Sequence, residues 1–388
     1  MKKVLLLILC SVMLLMALHS CAKPEEEPAE NPVGSQQNGG PEQNGDYGKA
    51  GVFPAGGAFD VAFATFPPET VMMRAQGLEV TWAELFVHLR TMVGNLSDYY
   101  DGEPIDWSAS WDYDITSAEW VIQYAIDEAL FTKALEYGAG LYGVALGEAD
   151  WALMREENDD IALEWGGEEA FHEMLWEEKG FINLELFEYM KSFSRLSELL
   201  LMEIFGAELE LMSDEDVGAF VVDDGLIMAR HIFLYKPEFG GYDDALGRIE
   251  GILFELKAYS GDDFSAFFND LMHTHSEDAI GLERLPNGYL FRYGDLTPYF
   301  YDAAIALDIY ELSEVVDGED GYHIIYRIPL DLDSIPFSYI IDEDYRTLRM
   351  LVAFAKFDQI VDGWLNLLEL EYTKEFESID VAVMFKDA

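Results

Sequence analysis

Six histidines lie beyond residue 20 of this 388-residue chain, and four of them, His231, His273, His275 and His323, fall within one hundred residues. Imidazole can donate, accept and exchange a proton near neutral pH, so such a concentration asks for a reason. His273-x-His275, followed by Glu277 and Asp278, offers donors that suit zinc or nickel. The same pair also closes a phenylalanine-rich helical stretch, where imidazole is favourable to the helix dipole, and its spacing matches no common metal motif. His231 and His323 differ in kind, because each sits in an apolar run of strand character, "ARHIFLY" and "GYHIIYRI". A lone histidine there reads as a hydrogen-bonded core residue. Two of them, one on the first strand of this stretch and one on the last, need more explanation.

No GxGxxG, P-loop, GxSxG or HExxH pattern is present, which removes support for the standard nucleotide, serine-hydrolase and zinc-protease readings. The only cysteines are Cys10 and Cys21. Lys2 and Lys3 precede an apolar run, Val4 to Leu18, that closes on Leu18-His19-Ser20-Cys21. This reads as an export signal over 1–20 and resembles the lipobox of bacterial lipoproteins, which implies an acylated Cys21 as the new first residue. A transmembrane helix would need about 20 apolar residues and stop-transfer charges. On this reading the mature chain has no free thiol, disulfide or cysteine metal site.

The chain carries 75 acidic against 23 basic residues, a formal charge of −52, or −54 without Lys2 and Lys3. That balance argues against nucleic acid and anionic lipid head groups as direct partners; it suits basic clients or loosely bound divalent cations, while nearly all of these carboxylates read as a solvated surface.

The elements that would position the histidines follow from periodicity. Residues 21–67 are rich in Pro, Gly, Glu, Gln and Asn and read as a disordered tether. From 68 to 225 the pattern is helical after a small hairpin around Gln76-Gly77. Capping boxes at Thr81-x-x-Glu84 and Thr116-x-x-Glu119 open helices, and further ones are expected near 148–158, 168–178 and 185–205. At 225–235 the period changes to two, with Ala229, His231, Phe233 and Tyr235 on one face. Helices follow at 246–256, 264–271 and from Thr297-Pro298, then a strand from Tyr322 to Ile328. After Pro329 a single helix is expected over 342–372, packing on the N-terminal helices. The fold class is therefore α+β: a helical domain made of 68–225 and 330–388, with a β-α-α-α-β-β unit, 226–329, inserted in it.

"ARHIFLY", "DDFSAFFNDLMHTHSED", "GYLFRYGDLTPYFYDAAIAL" and "ELSEVVDGEDGYHIIYRI" resemble, in order, successive blocks of the parvulin peptidyl-prolyl cis/trans isomerases. The flanking architecture is similar to the PrsA- and SurA-type exported foldases, which hold a parvulin domain between segments of a helical chaperone module. The resemblance implies catalytic roles for His231, His323 and Asp278. It implies a proline pocket of Leu296, at a position usually methionine, Phe300, Phe291 and Thr297. No cofactor or metal is implied. The partners implied are unfolded exported polypeptides with X–Pro bonds, met on an extracytoplasmic membrane face of the bacterial envelope through a lipid anchor, with a homodimer left open. The alternative reading is a non-catalytic holdase that keeps the fold for peptide binding. Two departures stand out: Pro286-Asn287-Gly288-Tyr289 replaces a Gly-Asp-Leu-Gly block, and Tyr310 takes a turn position usually given to glycine. The loop "KPEFGGYDDA" lacks an arginine cluster, so phosphoserine–proline selectivity is not expected.

Overall fold

The computed structural model describes residues 59–101, 103–112, 115–221, 225–341 and 346–386. The expected leader, Cys21 and all but the end of the expected tether lie outside these residues. The described residues divide into two compact units, one of residues 59–204 with 357–386 and one of residues 205–356.

In the first unit a short helix α1 (Asp60–Phe63) precedes a hairpin of β1 (Val71–Ala75) and β2 (Leu78–Thr81). Its two-residue turn, Gln76 at φ 51° and Gly77 at φ 86°, has the paired positive angles that match strand twist. The Gln76 amide donates to the Leu367 carbonyl at 3.0 Å, which holds a residue that is not glycine in that conformation. Helix α2 (Trp82–Tyr99) starts from Thr81, whose hydroxyl accepts from the Glu84 amide while Glu84 reaches back, the capping box expected from sequence. After a small β3–β4 ladder (Ser110–Asp112, Ile115–Thr116), Thr116 caps α3 (Ser117–Tyr142) in the same way. Helices α4 (Glu148–Glu164), α5 (Glu168–Glu177) and α6 (Leu184–Phe205) follow. Trp82, Phe86, Leu85, Leu89 and Leu96 of α2 pack with Val121 and Ala125 of α3 in the main core.

The second unit contains α7 (Asp214–Val221), β5 (Ile227–Tyr235), α8 (Ala245–Ala258), α9 (Phe264–His275), α10 (Ala279–Arg284), β6 (Tyr289–Phe291), α11 (Pro298–Ile305), β7 (Val316–Asp317), β8 (Gly321–Ile328) and α12 (Phe337–Ile341). Its strands form an antiparallel sheet in the order β6-β5-β8-β7. The α+β class is as the pattern indicates, with β6 an additional strand that three residues after a turn did not announce. Tyr310 has φ 70°, the left-handed conformation that its glycine-like turn position demands.

Helix α13 (Leu348–Leu365) is shorter than the single helix expected over 342–372. It ends by residue 365, and β9 (Leu370–Tyr372) pairs antiparallel with the free edge of β1, Met73 opposite Tyr372. The open backbone edge of a two-stranded hairpin outweighs the helical pattern there, a tertiary demand that local periodicity does not carry. Short helices α14 (Lys374–Glu377) and α15 (Val381–Met384) close the first unit. Within it, Gly138 of α3 lets the Trp364 ring lie on the helix, since a Cβ there would meet that ring at 2.3 Å.

Candidate active site

Strand β5 pairs β8 so that His231 faces Ile325 and Phe233 faces His323. Side chains alternate across a sheet, so the two imidazoles share one face and are diagonal neighbours. Their rings are 5.4 Å apart and nearly parallel, with Nδ1 of His231 3.1 Å from Nδ1 of His323. Both are buried, at 9% and 7% exposure.

Asp278 reaches the pair from the α9–α10 connection. That connection runs along the second half of β5: the Glu277 amide donates to the Phe233 carbonyl at 2.7 Å, and the Phe233 amide donates to the Ser276 hydroxyl at 3.1 Å. Glu277 also accepts from the Tyr235 amide at 2.8 Å. Asp278 caps α10, Oδ1 accepting from the Gly281 amide at 3.0 Å, and its Oδ2 lies 2.7 Å from His231 Nε2. Tyr289, at the start of β6, donates its hydroxyl to the same Oδ2 at 2.5 Å and sets its ring edge-on to His231. Gly281 is required by this crowding, because a Cβ would stand 2.1 Å from Asp278 Oδ2 and 2.5 Å from the Tyr289 hydroxyl.

Burial acts against the Asp278 charge, but the His231 hydrogen bond and charge, with Tyr289 and the Gly281 amide, overcome it and hold the carboxyl down at about 2. Burial, then the hydrogen bond to Asp278, pushes the Tyr289 phenol well above its ordinary value, so it remains a donor. Burial first and the nearby His231 second push His323 down to about 3. The network then assigns the protons. An ionised Asp278 requires N–H at His231 Nε2; with His231 neutral its bare Nδ1 accepts from His323 Nδ1–H, and with His231 charged its Nδ1–H donates to His323 Nδ1. In either arrangement His323 Nε2 is buried with no partner among the described residues.

The expected pocket residues fall on β6, α11 and the loop between them. Phe300 is 3% exposed and presents its ring edge-to-face to both imidazoles, at 5.1 and 5.4 Å. Phe291 is fully buried behind it, 5.5 Å away, and so supports Phe300 from the core side. Leu296 is half-buried against the same cluster, while Thr297 is exposed at the N-terminus of α11 and makes no side-chain cap bond. A cavity of about 10 Å³ bounded by His231, Asp278, Gly281 and Tyr289 has room for no more than one water.

His273 and His275 sit in the last turn of α9, and no group of three or more metal-ligating side chains occurs among the described residues. Two residues beside the cluster were not singled out by sequence reasoning. Tyr289 appeared only as part of a departing block. Tyr299, whose ring is 5.8 Å from His323 and whose hydroxyl donates to Asp320 at 3.4 Å, gave no signal at all. Neither stands at a spacing that singles it out.

An α+β unit with two facing imidazoles on adjacent antiparallel strands, a carboxylate behind one of them and an apolar wall in front defines the site. No family model matches the chain, and no curated protein does. Among solved structures, the chain is similar to the foldase PrsA of Lactococcus lactis at 11% identity over 81% of this chain and 98% of that one, with a TM-score of 0.30. It is similar to PrsA of Bacillus subtilis at 17% identity, over 72% and 93%, with a TM-score of 0.25. It is also similar to a SurA-like chaperone of Campylobacter jejuni at 18% identity, over 62% and 95%, with a TM-score of 0.22. Superposition over the whole chains is poor at these scores.

Proposed function

We propose that the protein is an extracytoplasmic foldase that catalyses cis/trans isomerisation of X–Pro bonds in unfolded exported chains and shields those chains with its helical segments. The observation that supports this most is the hydrogen-bonded run Tyr289–Asp278–His231–His323 beside Phe300 and Leu296. Rotation about an X–Pro amide breaks no bond, but it must cross a barrier of about 18–20 kcal/mol set by amide resonance. A catalyst therefore needs an apolar seat for the ring and preorganised polar groups where carbonyl charge changes during the twist. Leu296, Phe300 and Thr297, with Phe291 behind them, suit the first task. His231, His323 and Asp278 suit the second by fixed dipoles and tautomers, without nucleophilic attack.

The organisation proposed with it keeps residues 1–20 as a leader, Cys21 as the lipidated anchor, 21–67 as tether, 68–225 with 330–388 as the helical module, and 226–329 as the isomerase. Clients would be captured close to the membrane face to which the lipid holds the protein.

A tetrapeptide isomerisation assay on the purified protein tests the reading. His231→Ala and Asp278→Ala should each lower kcat/KM by about 10²-fold, in the range of positioned polar groups. Unchanged rates in both variants would sink the mechanism. The holdase reading is favoured by the low exposure of both imidazoles and of Phe300. It predicts suppression of client aggregation with no measurable isomerase rate, so the same two measurements separate them.

A further inference from the structure

Tyr289 stands where the resembling isomerases carry a glycine, and it fills that position with a buried phenol aimed at the site. Its hydroxyl and His231 Nε2 meet the same carboxylate oxygen, at 2.5 and 2.7 Å, and its ring lies 5.1 Å from the His231 ring at 86°. Behind it, Phe337 packs at 5.4 Å, and Pro336 bridges to Leu290, the neighbour of Tyr289 on β6. Ile335 and Phe337 pack on the core cluster that contains Tyr289, Phe291 and Phe300. These residues lie beyond the 226–329 stretch that resembles the parvulins, yet they form the back wall of its polar cluster.

We propose that Tyr289 is a positioning residue of the isomerase site, holding the Asp278 carboxylate on His231, and that the 335–337 segment holds Tyr289 and so governs the site from outside the parvulin-like stretch. The inference rests on the isomerase reading for its catalytic consequence. The geometry gives Asp278 three donors: the Gly281 amide from α10, the Tyr289 hydroxyl from β6 and His231 from β5, with His323 of β8 next in line. Arg230 and Met272 are among the residues lining the small cavity beside it, and the adjacent Glu277 is engaged by the Tyr235 amide. With three donors the carboxylate stays charged and cannot rotate away, so a proton of His231 is kept on Nε2, facing Asp278, and Nδ1 is the atom that meets His323. Removing the phenol hydroxyl leaves Oδ2 with one donor and frees the carboxyl to turn.

Tyr289→Phe keeps the ring and its packing on Phe337 and His231, and removes only the hydroxyl. In the full chain, the carboxyl carbon of Asp278 should titrate about one pH unit higher than in the unaltered protein, a tenfold change in proton affinity. The imidazole nitrogen shifts of His231 should show mixed tautomers. At neutral pH kcat should fall about three- to tenfold with KM unchanged, the size of one ordinary net hydrogen bond felt indirectly through Asp278. Phe337→Ala should move the same three readouts in the same direction, and Phe337→Leu should restore most of each. An unmoved Asp278 titration and an unmoved His231 tautomer in Tyr289→Phe would overturn the positioning role. Absence of isomerase activity in the unaltered protein would overturn the catalytic consequence and the isomerase reading. The two magnetic-resonance readouts would still decide whether Tyr289 sets the imidazoles.

Discussion

The chain holds two buried polar clusters made from similar parts, one in each unit. In the first unit Lys133 of α3 donates to Glu84 at 2.8 Å and to the Tyr189 hydroxyl at 2.7 Å, and lies 3.5 Å from Glu136. Tyr189 in turn donates to Glu136 at 2.5 Å. In the second unit Tyr289 donates to Asp278, which binds His231, which meets His323. Both place a tyrosine hydroxyl on a buried carboxylate. They differ in saturation. The three N–H donors of Lys133 meet three acceptors, and its charge is kept, against burial, by Glu84 and Glu136. The second cluster ends on a neutral imidazole whose Nε2 has no partner among the described residues, beside the half-buried Tyr299. A saturated ionic cluster ties α2, α3 and α6 together, whereas an unsaturated one retains hydrogen-bonding capacity for something else. The difference in roles should be measurable.

All eight tryptophans fall in the first unit, so their fluorescence reports its unfolding alone. The largest effect is expected for Lys133→Met, which leaves Glu84 and Glu136 buried without their cation and should cost about 3–5 kcal/mol. Denaturant unfolding followed by tryptophan fluorescence should show that loss, with the proposed isomerase activity unchanged below the transition. A cost under about 1 kcal/mol would remove the contrast drawn above.

A smaller effect separates the units by pH. Glu128 of α3 is 7% exposed, one of its oxygens has no partner among the described residues, and burial, with Asp127 adding to it, raises its carboxyl to about 7 despite a Tyr124 hydrogen bond. Because the folded value lies above the unfolded one, its contribution is fully present below about pH 4.5 and is lost as pH rises through about 7. Glu128→Gln should therefore stabilise the first unit at pH 8 by about 1–3 kcal/mol and leave it unchanged near pH 4. His88, pushed down to about 4 chiefly by burial, slopes the other way, so the test compares the variant with its parent at each pH. Asp278 has the opposite sign to Glu128: its depressed value supplies stability to the second unit above about pH 4 that is lost as pH falls through about 2. A gain from Glu128→Gln that does not depend on pH would contradict this assignment.

The smallest effect concerns Tyr310, 65% exposed and in the left-handed region. Tyr310→Gly relieves that conformation at the cost of a more flexible unfolded chain, a net gain of about 0.5–1 kcal/mol. Hydrogen exchange of β8 amides should slow accordingly while tryptophan fluorescence stays unmoved. Faster exchange would show that the tyrosine's contacts outweigh its strain.

Capping boxes at Thr81 and Thr116 were legible because their partners lie three residues away, and the helices they open are the ones observed. The common face of Ala229, His231 and Phe233 was legible because strand alternation depends only on parity. The strand at 370–372 was not, since its reason is the free edge of β1 some three hundred residues earlier. Tyr289 was passed over for the same reason: its partner Asp278 is eleven residues away across a helix and a turn. Lys133 and Glu84, forty-nine residues apart, are matched only once α2 and α3 pack.

By itself, then, the sequence determined which residues share a face, where helices begin, the large negative charge and the kinds of side chain that could do chemistry. These follow from local backbone geometry and composition. Only the tertiary structure decided that His231 and His323 meet through Nδ1, that Asp278 is held by a phenol as well as an imidazole, and that His323 Nε2 is left over. Strand register and proton placement depend on groups far apart in the chain, and a buried hydrogen bond exists only when both partners have been brought into the same dry space.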